Sequence, residues 1–187
     1  LHDAGWRTGL FGKAHFEPLL DPFLRFPSNR MGISGDTDDA GRPHRGFERM
    51  EFAGHGSAGA NHYGGWLRNN EPDHMGSFFP ALGIDLEVNS DCGGESGAPQ
   101  VRHNPVPRES YHTDWVADRA IDWLDGLSPD DDWFCWLSFP DPHHPWDPPT
   151  SELHRVPWRD LDLPEGYLEA ATEREAAIDA NGAHWRH

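Results

Sequence analysis

At 187 residues the chain is long enough for one domain with a sizeable core, yet only 36% of it is hydrophobic, its mean hydropathy is −0.77, and 20 glycines and 17 prolines predict long loops. A formal net charge of −17 argues against nucleic acid and anionic membrane as general partners, because phosphate-rich surfaces are bound by basic ones; a small anionic substrate stays open where a local cluster of cations overrides the global field. Two cysteines, Cys92 and Cys135, make neither a disulfide framework nor a C-x-x-C pair, and no run is apolar enough to span a membrane.

Residues 1–7 read as the last turns of a helix, with Gly5 where a C-terminal glycine cap belongs. Residues 8–12, TGLFG, read as a buried strand that ends in a glycine turn. Lys13 and His15 follow two residues apart, so the strand end hands two cationic side chains to a site, and ligands of open α/β sheets bind at strand ends. Of the 15 Lys and Arg residues, Lys13 is the one lysine, which leaves 15 − 1 = 14 arginines. A compact ammonium can approach a single oxygen of a tetrahedral anion, where a guanidinium presents a planar fork.

Residues 16–45 read as loop, punctuated by Pro18, Pro22, Pro27 and Pro43 and by a turn-rich run at 34–41. Residues 46–52 suggest a short strand with one face exposed. Residues 53–108 read as mostly irregular, with a short helix starting within 62–67. The whole loop-rich stretch 16–110 is expected to form the walls of a substrate site. A helix is predicted over 114–127, capped by Thr113, with Asp114 in its first turn and Val116, Ala120, Trp123, Leu124 and Leu127 along one face. A turn at 128–132 leads to WFCWLSF, residues 133–139, a nearly continuous apolar run of buried-strand type that carries Cys135 as an inert thiol. The prolines of PDPHHPW, residues 140–146, stop that strand and project His143 and His144 from its end. A loop over 148–164 and a helix over 166–180 complete the chain. No repeat or linker divides it.

Two strand ends therefore present Lys13, His15 and His143. Such a set suits a tetrahedral anion: the ammonium neutralises a non-bridging oxygen, and an imidazole can give a proton to a leaving oxygen or take one from a nucleophile. The rival is a histidine-rich, noncatalytic metal- or anion-binding module, since the chain has 13 histidines. His55, His62, His74 and His103 are scattered at no metal-ligand spacing, and no H-x-x-x-H helix pair occurs. His112 reads as part of a helix entry. Asp38, Asp39, Asp130, Asp131 and Asp132 sit in turns and read as solvated, so no residue of the chain is assigned to a metal.

LHDAGWRTGLFGKAH, residues 1–15, resembles the sulfatase segment L-x-x-A-G-Y-x-T-x-x-x-G-K-x-H, with Trp6 in place of the tyrosine. Residues 133–145 resemble the later sulfatase segment in which an apolar strand runs into P-H-x-P, and the helix start at Thr113, Asp114 and Trp115 fits before it. The resemblance covers both ends of the region up to about Pro148 and leaves its middle poorly matched. It implies an α/β fold, part of an alkaline-phosphatase-like sandwich with a mixed sheet flanked by helices and long loops. It implies hydrolysis of a small-molecule sulfate ester by a formylglycine nucleophile beside a calcium ion. By position, Lys13 would contact the sulfate and the formylglycine hydroxyl. His15 would be the base that helps expel sulfate from the covalent intermediate, and His143 would bind sulfate and protonate the leaving oxygen. His144 takes the variable position and receives no role. Phosphonate monoesters or phosphodiesters are the alternative substrates within the same superfamily.

No C/S-x-P-S/A-R segment, from which formylglycine is made, occurs in the sequence, and the paired aspartates and Asp-Asn pair that hold calcium are also absent. The expectation is thus that residues 1–187 are an internal part of a single sulfatase catalytic domain. Its nucleophile and metal ligands would lie outside these residues, and the isolated chain would be inactive. Compartment and oligomeric state have no signature in the sequence.

Overall fold

The computed structural model describes residues 1–18, 21, 23–54, 61–78, 104–157, 160–162, 164, 166 and 167. The chain divides into two compact units, Leu1–Leu153 and His154–His187. In the second, the described features are two turns, closed by the Asp160 N–H on the Pro157 carbonyl (2.9 Å) and the Tyr167 N–H on the Pro164 carbonyl (3.0 Å). The helix expected over 166–180 lies outside the described residues beyond position 167.

The first unit is α/β, built around a parallel sheet. Its three strands are β1 (Arg7–Gly12), β2 (Arg49–Phe52) and β3 (Trp133–Ser138), in the order β2-β1-β3. Both pairings are parallel, with Gly9 opposite Arg49 and Gly12 opposite Phe52 on one side, and Arg7 opposite Trp133 and Gly12 opposite Ser138 on the other. A mixed sheet was expected; the antiparallel member has no counterpart among the described residues.

As the central strand, β1 is covered on both faces, and its side chains alternate between two cores. Phe11 points to a cluster with Tyr63, Leu67, Trp115, Val116, Ala120 and Trp123, its ring 5.7 Å from that of Trp123. Leu10 points the other way, to Met31, Phe47, Met50 and Phe52. Neither Leu10 nor Phe11 retains any exposure, and each such burial contributes about 1.5–3 kcal/mol.

The helices are α1 (Pro27–Ser34), α2 (His62–Asn70) and α3 (His112–Asp125). Helix α3 matches the predicted apolar face: Val116, Ala120 and Trp123 are buried, and Leu124 and Leu127 pack partly against the same cluster. It begins two residues earlier than expected. Tyr111 occupies the cap position, and the Thr113 hydroxyl turns instead toward Asp141. Helix α2 extends the short helix read from residues 62–67, its N-cap Asn61 accepting from the Gly64 N–H at 2.8 Å. Helix α1 falls where loop was expected. Pro27, which reads as a breaker, stands in the first turn, where a proline lacks only an N–H that has no helical partner. The Ser28 N–H and hydroxyl are both taken by the Glu17 carboxylate, at 3.0 and 2.6 Å. The N-terminal helical turn is a single 3-10 stretch, His2–Ala4, closed by Gly5 in the left-handed conformation as expected.

Two strand readings are corrected. Met50, Glu51 and Phe52 of β2 are all buried, so β2 lacks the open face expected of it. In β3 the apolar run is a strand but not a buried one: Trp133, Phe134, Trp136 and Leu137 keep between 39% and 49% of their exposure. On one side of this strand Cys135 packs partly against the Phe11 cluster, and on the other the Phe47 ring meets Phe134 and Trp136 while the Phe16 ring meets Trp136 edge-on. No helix among the described residues is long and apolar enough to cross a membrane.

Candidate active site

Strands β1 and β3 run side by side and end together. The ladder closes with the Lys13 N–H donating to the Ser138 carbonyl at 2.8 Å. Gly12 makes that closeness possible. Its φ is +106°, and a Cβ there would stand 1.8 Å from the Ser138 oxygen. Only glycine supplies both the left-handed backbone and the missing methyl. From this seam Lys13 leaves one strand, and the turn carrying His143 leaves the other, at the carboxyl edge of the sheet where α/β proteins bind ligands.

Lys13 is half-buried, and burial lowers its pKa from the usual lysine value of 10.5. A partly desolvated ammonium interacts more strongly with an anion than one in open water. His15 is exposed, two residues further along the chain. His143 and His144 are also exposed, with their rings stacked 4.5 Å apart. Three bonds shape the His143 turn. The His143 N–H donates to the Pro140 carbonyl (3.2 Å), and the Trp146 indole N–H to the Pro142 carbonyl (2.9 Å). The His143 Nδ1 donates to the His144 carbonyl. Because a carbonyl can only accept, this last bond places the proton on Nδ1 and makes Nε2 the basic nitrogen of the neutral ring.

The turn is anchored by residues that the sequence did not single out. The Tyr111 hydroxyl lies 3.1 Å from the Asp141 carboxylate and 3.3 Å from that of Asp147. The Thr113 hydroxyl reaches Asp141 at 3.5 Å, and the His112 Nε2 is 3.9 Å from it. Burial raises the pKa of Asp141, against the opposing hydrogen bonds from Tyr111 and Thr113. Burial also raises that of Tyr111, helped by the Asp147 and Asp141 charges, so the phenol keeps its proton to donate.

Ala14, Phe16, Glu17, Ser28, Asn29, Phe52 and Asn61 line a small cleft. The Glu17 carboxylate is nearly buried there. Burial acts to raise its pKa, but the two Ser28 donors, Arg45 and nearby His44 outweigh it and hold the group below the ordinary value of 4.5.

Of the histidines weighed as scattered, His62 is structural. Its Nδ1 accepts from the Phe52 N–H and its Nε2 donates to the Asp36 carbonyl, both at 2.9 Å. His55 and His103 lie outside the described residues. Among the described residues no group of three or more His, Cys, Asp or Glu side chains could hold a metal ion, so these residues do not fit a calcium site. Cys135, expected as a buried, inert thiol, is only half-buried, and burial raises its pKa.

Among curated proteins, the chain is similar to an arylsulfatase of Clostridium perfringens (strain 13 / Type A), at 25% identity over 173 residues. The match takes in 87% of this chain and 29% of that arylsulfatase, so the chain spans less than a third of the relative's length. No family model matches, and no solved structure matches. The likeness supports the sulfatase resemblance at the level of a distant hydrolase relative.

Proposed function

We propose that the full-length protein is a hydrolase of the sulfatase kind, acting on sulfate esters, and that Lys13, His15 and His143 form part of its active site. One observation carries this reading. The lysine and the histidine turn leave the carboxyl ends of two neighbouring parallel strands, whose ladder closes at Lys13 and Ser138. The distant likeness to an arylsulfatase supports it from a separate direction.

In this reading Lys13 binds a non-bridging oxygen of the ester and offsets charge that grows as the bond to the leaving oxygen breaks. His143, charged at Nε2, holds the same anion and gives that proton to the departing oxygen. The resemblance would give His15, two residues beyond Lys13, the part of a general base in the release of sulfate. A formylglycine nucleophile and a calcium ion belong to the resemblance. The sequence has no segment for the first and the described residues no ligand group for the second, so no step of this account runs through either.

The test is the initial rate of the full-length protein on a sulfate monoester, a phosphodiester and a phosphonate monoester, with Lys13→Ala alongside. Sulfate-ester turnover that falls at least about 100-fold in the variant supports the reading. Turnover confined to the phosphorus esters transfers the site to the alternative, and sulfate-ester turnover indifferent to Lys13 refutes it.

A further inference from the structure

The turn that carries His143 meets the same phenol at both of its ends. Asp141 stands two residues before His143 and Asp147 four after it, and the Tyr111 hydroxyl sits within hydrogen-bond reach of both carboxylates, at 3.1 and 3.3 Å. With its one proton the phenol donates to one of the two carboxylates at a time, and the two aspartates it faces stand six residues apart in the chain. The phenol is itself buried. Tyr111 is 4% exposed, precedes helix α3 directly and stacks on Phe78 with ring centroids 6.0 Å apart. Asp147 is 1% exposed. A carboxylate this deep is costly unless hydrogen-bonded, so its placement is set by the donors it meets.

The bonds inside the turn shape its backbone but do not attach it to anything. Tyr111 joins the turn to the start of helix α3, the Thr113 hydroxyl stands 3.5 Å from Asp141, and the Asn104 backbone holds the chain beyond the turn, its N–H on the Pro148 carbonyl (3.4 Å) and its carbonyl accepting from the Thr150 N–H (2.8 Å). We propose that Tyr111 is a positioning residue, which clasps Asp141 and Asp147 and so fixes where the His143 imidazole stands relative to the Lys13 edge of the sheet. The clasp rests on the reading of His143 as the proton donor to the leaving oxygen. It adds to that reading a group that never touches substrate.

A positioning role has a signature that loss of stability does not. An activated leaving group, such as 4-nitrophenolate, departs without a proton, whereas an alkyl or sugar alkoxide needs one. Tyr111→Phe keeps the ring and its packing and deletes only the hydroxyl. In the full-length protein it is expected to lower kcat on an alkyl sulfate at least about tenfold and to leave 4-nitrophenyl sulfate nearly unchanged. Equal losses on both esters, or no loss on either, overturn the proposal. Asp141→Leu, which removes the acceptor at similar volume, carries the same test should the phenylalanine variant fail to fold. A wild type inactive on every sulfate ester would sink the functional reading but not the clasp. The 15N shifts of the His143 ring, assigned by their loss in His143→Gln, then decide it. A protonated Nδ1 that loses its signature in Tyr111→Phe supports the clasp, and unchanged shifts refute it.

Discussion

The backbone N–H of Lys13 donates to the carbonyl of Ser138 at 2.8 Å, so the last bond of the β1–β3 ladder is made by the residue proposed to grip the anion. Site and fold are joined at that bond. Lys13 directly follows the last residue of β1, and Ser138 is the last residue of the strand that leads to His143. Geometry at the seam is therefore geometry at the proposed site.

Gly12→Ala tests the seam. The added methyl meets the Ser138 oxygen at 1.8 Å, a backbone atom that cannot turn aside, and φ is already +106°. A loss of at least about 2 kcal/mol is expected in urea unfolding, from backbone strain together with the parted strands. A variant as stable as wild type would mean that β1 and β3 do not end in this contact.

His62 gives the fold a pH dependence of known sign. Burial lowers its pKa below the ordinary 6.5, against the pull of the Asp36 carbonyl and the Glu51 and Asp36 charges. The folded protein thus holds the ring neutral, where the unfolded chain would protonate it. Its stabilising contribution is full above about pH 6.5 and is lost as pH falls toward the lowered folded pKa. His62→Ala removes the acceptor of the Phe52 N–H and is expected to cost about 1–3 kcal/mol near neutrality. The gap between wild type and variant should narrow between about pH 7.5 and about pH 5.5 in urea unfolding. A gap constant across that range would show that His62 is not held neutral.

The exposed edge strand makes an opposite prediction. Leu137 keeps 46% of its exposure, so Leu137→Lys should change stability by no more than about 0.5 kcal/mol, while a charge on an open strand edge discourages pairing between copies. Thermal unfolding and sedimentation of the 187-residue chain read the two effects. A strongly destabilised variant would mean that the Leu137 side chain is covered.

These features were unequally legible in the sequence. Helix α3 was readable because its apolar residues repeat at helical spacing, and β1 because an apolar run ends in a glycine. Helix α1 was hidden by Pro27, which has the same composition signature whether it opens a helix or breaks one. The strand at β3 was readable, but its burial was not, because burial is set by what covers a strand rather than by the strand. Lys13, His15 and His143 stood out through their place beside strand ends. Tyr111 did not, for its partners lie 30 and 36 residues away and meet it only once helix α3 and the His143 turn are packed together. An aspartate on either side of the histidine turn was the one visible trace of the clasp.

Lys13 and His143 are proposed to act on one anion. A double-mutant cycle in the full-length protein, with Lys13→Ala, His143→Ala and the pair, tests it through kcat/KM on a sulfate ester. If both side chains serve one transition state, each single variant loses about 100-fold or more and the double variant loses far less than the product of the two. Losses that multiply in full would show two independent sites of damage, and an active His143→Ala enzyme would remove the turn from the chemistry altogether.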